Sequence, residues 1–250
     1  ARGRCLAKAG PLLLQRRRLR GSSALGAALA NATDEDGAAP AGSAVERYGF
    51  LEVEGNRTIS NKTGLPVRLR GMSLFWSQWM PQFYTNETVF WLRDDWNATL
   101  VRAAMGIEEG GYLENPEVEK AKVRSVVDAA IAAGIYVIID WHDHHAERHL
   151  SNATDFFREM AEMYGKHPNV MYEVFNEPTD QQDWGTTIKP YHEQLVGVIR
   201  QHSSSPIILG TPFWSTDAAK AALDPVKGKN LAYTLHFYAA TSGQPHRDKT

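Results

Sequence analysis

A regular alternation of apolar runs and amphipathic stretches fills the chain from Tyr48 onwards. Strand-like apolar runs occur at 67–73, 98–105, 135–142, 169–177, 206–214 and 231–238. Stretches of helical periodicity separate them, at 86–96, 116–134, 153–167, 186–202 and 217–223. Near-continuous apolar strands separated by helices are typical of a buried parallel sheet. The pattern therefore predicts an α/β domain, either a doubly wound sheet or a (β/α)8 barrel.

Two local features refine this prediction. No Gly-x-Gly-x-x-Gly and no P-loop follows any predicted strand, which disfavours the nucleotide-binding doubly wound sheet. Before the first strand, polar and apolar residues alternate around the turn Glu54-Gly55-Asn56, which predicts a β-hairpin. We therefore expect an incomplete (β/α)8 TIM barrel, with about six of its eight repeats, preceded by an N-terminal β-hairpin.

The first part of the chain has a different composition. Residues 1–44 are rich in Ala, Gly, Ser and Arg and show no sustained periodicity, which predicts a disordered, low-complexity leader. They start with a basic stretch and only a four-residue apolar block, which is too short for the core of a signal peptide. We expect one catalytic domain over residues 45–250.

Charge and asparagine usage narrow the class of protein. A net charge of -2 gives no indication of a nucleic-acid partner, and no apolar run is long enough to span a membrane. Cys5 is the only cysteine, so no disulfide can form within the chain. Six of the ten asparagines begin Asn-x-Thr, where chance gives roughly one: Asn31, Asn56, Asn61, Asn86, Asn97 and Asn152. This surplus predicts a secreted glycoprotein.

Polar side chains cluster at the predicted strand ends. The functional residues of a barrel gather at the C-terminal ends of its strands. Arg102, His142, Asn176, Glu177, His236 and Tyr238 all stand there, and Trp76, Trp79 and Trp214 flank them. One polar residue closing a strand is ordinary, but such groups close four strands here. The sequence therefore predicts one polar site lined by indoles.

Six stretches resemble glycoside hydrolase family 5, and specifically its endoglucanases. They are "RGMSLFWSQW", "LVRAAMG", "VIIDWHDHHAE", "VMYEVFNEP", "ILGTPFWSTD" and "LAYTLHFYAATS", which follow one another in the family's order over about residues 48–245. The resemblance implies a monomeric glycosidase without a cofactor that acts on a β-linked polysaccharide, endo-β-1,4-glucan above all. Mannan, xylan and mixed-linkage glucan remain open as substrates. The implied mechanism retains the anomeric configuration and uses two carboxyls about 5–5.5 Å apart.

The resemblance also implies roles for single residues. Glu177 matches the acid/base, and we expect burial to raise its pKa so that it holds a proton. Asn176 matches the residue that binds the sugar 2-hydroxyl. Arg102 and Tyr238 match groups that bind the nucleophile, and His142 and His236 line the subsite at the cleavage point. The indoles of Trp76, Trp79 and Trp214 are either sugar platforms or core residues.

The second carboxyl of that mechanism is expected on a seventh strand. The chain ends at Thr250 and contains no glutamate after Glu193, so we expect a fragment that lacks the nucleophile and is inactive alone. Arg102 and Tyr238 should then both point towards the nucleophile's position, with no protein anion between them. We expect Asp140 to lie deeper in the barrel and Glu173 too early on its strand.

Two other functions remain open. The stretch "DWHDHHAERH" offers His142, His144, His145 and His149, and His-x-His at a strand end is a spacing found in metal sites. It would suit a metal-dependent barrel hydrolase. The second alternative is a carbohydrate-binding pseudoenzyme, in which this chain is the complete product.

Overall fold

The computed structural model describes residues 38–238. Their strands are β1 (Leu51–Glu54), β2 (Arg57–Ser60), β3 (Gly71–Ser73), β4 (Leu100–Gly106), β5 (Tyr136–His142), β6 (Val170–Glu173), β7 (Ile207–Leu209) and β8 (Leu231–Tyr233). The α-helices are α1 (Ala44–Tyr48), α2 (Asn86–Trp96), α3 (Pro116–Ala133), α4 (Leu150–Tyr164), α5 (Lys189–Ile199), α6 (Pro212–Ser215) and α7 (Ala218–Leu223). Short 3-10 turns occupy Pro81–Phe83 and Ala146–His149, and a π-helical turn (Trp184–Ile188) precedes α5.

The sheet topology confirms the predicted fold class. Strands β3 to β8 form one six-stranded sheet in sequence order, and every adjacent pair is parallel. Strands β1 and β2 form a separate antiparallel hairpin, as the turn around Gly55 predicts. This is an incomplete (β/α)8 barrel with an N-terminal hairpin. Most of the predicted leader lies outside the described residues, and its last part, 38–44, leads into α1.

Helix boundaries follow from capping residues. The Thr85 side chain accepts a hydrogen bond from the Thr88 backbone N–H at the start of α2, and Asn97 ends that helix in the left-handed conformation. Pro116 opens α3, and Gly134 ends it at φ 67°. A residue without a Cβ adopts this conformation at no steric cost, so the glycine terminates the helix where the sequence predicts.

The core lies between the sheet and its helices. Trp141 on β5 is fully buried and packs against Tyr112 and Phe156, with ring centroids 5.1 and 5.6 Å away. Burying one side chain of this size stabilises the fold by about 1.5–3 kcal/mol. Within residues 38–238, no helix is both long and apolar enough to cross a membrane.

Three strands are shorter than the apolar runs that predict them. Strands β6, β7 and β8 end at Glu173, Leu209 and Tyr233, and the chain then leaves the sheet. Other backbone contacts hold the extensions: the Trp214 N–H donates to Pro178 O over 2.7 Å, and the His236 N–H donates to Ser215 O over 2.6 Å. The polar residues predicted at these strand ends therefore lie on loops that converge above the sheet.

Candidate active site

One cavity of about 580 Å³ contains all six polar residues singled out at the strand ends. Arg102, His142, Asn176, Glu177, His236 and Tyr238 line it together with Trp76. They reach it from β4, from the end of β5, and from the loops after β6 and β8. The carboxyl ends of parallel strands meet at one edge of a barrel, which explains how residues up to 136 positions apart share a cavity.

Glu177 is held between two imidazoles. His236 Nδ1 lies 2.7 Å from its Oε1, and His144 Nε2 lies 3.2 Å from its Oε2. Burial raises the pKa of this carboxyl, but the hydrogen bonds and positive charge of the two histidines outweigh burial and lower it to about 2. The expectation of a raised pKa is therefore wrong for this state of the site. Sequence patterns indicate burial but not the second imidazole that stabilises the carboxylate.

Arg102 lies against two buried carboxylates. Its Nε donates to Glu173 Oε2 over 2.7 Å, and its Nη2 lies 3.0 Å from Asp140 Oδ2. The same Nη2 donates to Asn176 Oδ1 over 2.9 Å. Asp140 and Glu173 thus both contact Arg102, and the anion-free position between Arg102 and Tyr238 stays a prediction. Asp140 and Glu173 are paired in the β5–β6 register, which brings both carboxylates to one guanidinium.

The two carboxylates differ in their second contacts. Asp140 is fully buried, and its Oδ2 also lies 2.6 Å from His142 Nδ1. Glu173 is 3% exposed, and within residues 38–238 its Oε1 has no hydrogen-bond partner. Burial raises the pKa of Glu173, Arg102 partly offsets this, and the neighbouring Asp140 raises it further. Glu173 therefore binds a proton more readily than an exposed glutamate.

Indoles line this cavity and its neighbours. The Trp76 ring stands perpendicular to His142, with centroids 4.3 Å apart, and Trp79 lies 5.0 Å from Trp76. Trp79 lines a smaller adjacent cavity of about 190 Å³. Trp214 lines another, of about 440 Å³, that Glu177 also borders. Half-exposed indoles beside a polar cavity provide flat apolar faces for a ligand.

Sequence reasoning missed two contacts. His144 was considered only as a metal ligand, although it stands two residues after His142 on the same strand-end loop. Ser215 is fully buried, and its hydroxyl donates to the Asn176 carbonyl over 2.7 Å, which anchors the backbone next to Glu177. A serine in a short helix carries no pattern that identifies this contact.

The four histidines of the metal alternative have separate partners. His142 contacts Asp140, His144 contacts Glu177, His145 contacts Gln182, and His149 contacts Glu108. In the part of the chain that the structure describes, no three His, Cys, Asp or Glu side chains are grouped to hold a metal ion. The geometry therefore gives this alternative no support.

Comparison with known proteins identifies the family. The model of the cellulases, glycosyl hydrolase family 5, matches residues 60–250. The chain belongs to this family. It is 50% identical to Endoglucanase Z from Dickeya dadantii over 204 residues, which cover 80% of this chain and 47% of that protein. It is 46% identical to Endoglucanase A from Evansella cellulosilytica over 191 residues, covering 74% of this chain and 39% of that protein.

Solved structures of family members share the fold. A structure from Cytophaga hutchinsonii is 51% identical, with a TM-score of 0.82, and the match covers 83% of this chain and 68% of that one. The catalytic domain of Thermobifida fusca endoglucanase Cel5A is 37% identical, with a TM-score of 0.79, and the match covers 83% and 72%. The chain spans about half the length of the curated relatives it matches.

Proposed function

We propose that the protein is an endo-β-1,4-glucanase that retains the anomeric configuration, with Glu177 as its acid/base. One observation carries the proposal: Glu177, Asn176 and Arg102 line a single cavity at the strand ends of a family 5 barrel. Relatives named endoglucanases match most of this chain. Because the match covers only about half of each relative, the activity of the whole protein belongs to the proposal.

The contacts support a separate role for each residue of the site. Glu177, once protonated, gives its proton to the glycosidic oxygen and later takes one from water. Arg102 donates a hydrogen bond to Asn176 Oδ1, so the amide N–H groups of Asn176 point away from it and bind a sugar 2-hydroxyl. The nucleophile of this mechanism is a second glutamate, which we expect on a seventh strand. His142 and His236 border the cleavage point, with Tyr238 as a hydroxyl donor, and the indoles of Trp76, Trp79 and Trp214 hold flanking sugars.

A substrate panel tests the proposal. The 250-residue chain and the longest product of its gene are incubated with carboxymethylcellulose, mannan, xylan and mixed-linkage glucan, and new reducing ends are counted. We expect the longest product to cleave the β-1,4-glucan, with products released in the β configuration as seen by proton NMR, and the 250-residue chain alone to be inactive. Inverted products would contradict the retaining mechanism. Binding without cleavage by both products would favour a pseudoenzyme.

We also propose that the protein is a secreted glycoprotein that works as a monomer. The asparagines of the five sequons within residues 38–238 are all exposed: Asn56, Asn61, Asn86, Asn97 and Asn152. Asn31 lies outside the described residues. Expression through a eukaryotic secretory pathway, followed by enzymatic removal of N-glycans, should lower the apparent mass. Unmodified asparagine at all six sites would contradict the proposal.

A further inference from the structure

Glu173 has a feature that its contact with Arg102 does not explain. One carboxylate oxygen, Oε2, accepts a hydrogen bond from the guanidinium, whereas the other, Oε1, is buried and has no hydrogen-bond partner among residues 38–238. Leaving a buried polar atom without a partner is unfavourable, so such an atom calls for an explanation. One described ion pair involves Oε1: His236 Nε2 lies 3.9 Å from it.

His236 stands between two carboxyls. Its other ring nitrogen, Nδ1, lies 2.7 Å from Glu177 Oε1. An imidazole can accept a proton at one nitrogen while it releases one from the other, since its two tautomers differ only in which nitrogen carries hydrogen. His236 therefore lies between the two carboxyls, hydrogen-bonded to Glu177 and 3.9 Å from Glu173.

We propose that His236 relays a proton from Glu173 to Glu177, so that Glu173 is the proton reservoir of the acid/base. The inference rests on the proposed role of Glu177. Glu173 is a positioning residue in this scheme, because it acts on the substrate only through His236 and Glu177. It would explain how a carboxyl that two histidines keep ionised receives the proton that its catalytic step requires.

The transfer is balanced without any other reactant. The Glu173 Oε1–H bond breaks and an N–H bond forms at His236 Nε2, while the Nδ1–H bond breaks and an O–H bond forms at Glu177 Oε1. Glu173 becomes a carboxylate and Glu177 a carboxylic acid, and the imidazole carries the same number of protons before and after the transfer. The new negative charge on Glu173 is stabilised by Arg102 Nε at 2.7 Å. The 3.9 Å gap at Nε2 exceeds a hydrogen bond, so the transfer requires the ring to move closer to Glu173 first.

The groups around the relay determine where the proton rests. Strand β6 contributes Glu173, and the loop after it contributes Glu177. Arg102 on β4 and Asp140 on β5 meet at Glu173, and His144 contacts Glu177 from the loop after β5. Burial raises the pKa of Glu173, whereas the histidines lower that of Glu177, so the resting proton belongs on Glu173.

Carboxyl NMR tests the location of the proton without requiring turnover. The 250-residue chain is labelled with carbon-13 at the glutamate side-chain carboxyls, and Glu173→Gln and Glu177→Gln assign the two signals. We expect the Glu173 signal at neutral pH to be that of a protonated carboxyl. Glu177→Gln should shift the titration midpoint of the Glu173 carboxyl by about one pH unit or more, because the two carboxyls titrate as a coupled pair. His236→Asn should remove that shift. An ionised Glu173 at neutral pH, or a midpoint insensitive to both changes, overturns the relay.

Kinetics of the full-length product supplies the second readout. Glu173→Gln should slow cleavage of unactivated glucan about tenfold or more at neutral pH, and acidification should restore the rate because bulk protons then reach Glu177. Asp140→Asn is the matched control. It removes the other carboxylate at Arg102, and Asp140 contacts His142 rather than His236. Its loss should not be reversed by acid. If acidification restores the cleavage rate of both variants, or of neither, the relay is overturned.

The two proposals fail in different ways. If Glu173 carries the proton and couples to Glu177 while no polysaccharide is cleaved, the proposed function fails and the proton relay stands. If glucan is cleaved while Glu173 is ionised at neutral pH, the relay fails and the proposed function stands. Should Glu173→Gln not fold, His236→Asn gives the same tests at a side chain that is 27% exposed.

Discussion

Asp140 and Glu173 are direct neighbours in the parallel register of β5 and β6, and both bind the guanidinium of Arg102. The two buried carboxyl groups share one cation, so the arrangement depends on the guanidinium between them. The same Arg102 side chain orients Asn176, which precedes Glu177. The charge balance of the core and the geometry of the site therefore rest on one arginine.

Replacing Arg102 should destabilise the protein strongly. Arg102→Met leaves Asp140 and Glu173 without their shared cation, and breaking a buried ion pair on one side costs about 3–5 kcal/mol. Urea unfolding followed by tryptophan fluorescence measures the change. Arg93→Met is the matched control, because Arg93 pairs with the exposed Asp94 and should cost less than about 1 kcal/mol. Equal losses for the two variants would contradict the role given to Arg102.

The histidine pair at Glu177 makes stability depend on pH. The pKa of Glu177 falls from 4.5 to about 2 on folding, so its contribution is present above pH 4.5 and is lost as the pH falls towards 2. The contribution of His144 to stability has the opposite pH dependence. The hydrogen bond to Glu177 raises the pKa of His144, so this contribution is present below pH 6.5 and is lost as the pH rises through the raised pKa.

Unfolding free energies measured from pH 2 to 9 check both statements. We expect Glu177→Gln to reduce the loss of stability between pH 4.5 and 2. His144→Asn should reduce the loss at the alkaline side. An acid limb that is the same with and without the Glu177 carboxylate would show that its hydrogen bonds do not stabilise the fold.

A glycine keeps the Glu177 loop close to the sheet. A Cβ at Gly210 would overlap the Phe175 carbonyl oxygen and lie 2.9 Å from Pro178 Cδ. Phe175 and Pro178 are the residues directly before Asn176 and directly after Glu177. Gly210→Ala should therefore cost about 1–3 kcal/mol and lower activity. Gly197→Ala is the matched control, since nothing lies within 4 Å of its Cβ on helix α5. It should stabilise by about 0.5–1 kcal/mol. Thermal unfolding compares them, and equal melting temperatures would contradict the packing argument.

The sequence predicts the fold more completely than it predicts the contacts within the site. Apolar runs and the Pro116 and Gly134 signals locate the strands and α3, because periodicity and backbone conformation are local properties. The positions of Trp214 in the short helix α6 and of His236 on the loop after β8 were missed, because apolar residues continue past the last paired residue of each strand. The partners of Arg102 depend on the register between β5 and β6, which no local pattern specifies. The identity of Glu177 could be predicted, whereas its lowered pKa could not.

The role of Glu177 is tested most directly by comparing two kinds of substrate. In the full-length product, Glu177→Gln keeps the size and polarity of the side chain but removes the transferable proton. We expect cleavage of unactivated glucan to fall about 10²–10⁴-fold. An aryl cellobioside with a good leaving group, whose departure needs no proton, should lose far less in its first, glycosylating step. Glu147→Gln, on the loop after β5, controls for a general effect of the substitution. Near-normal hydrolysis of unactivated glucan by Glu177→Gln would contradict the assignment of Glu177 as the acid/base.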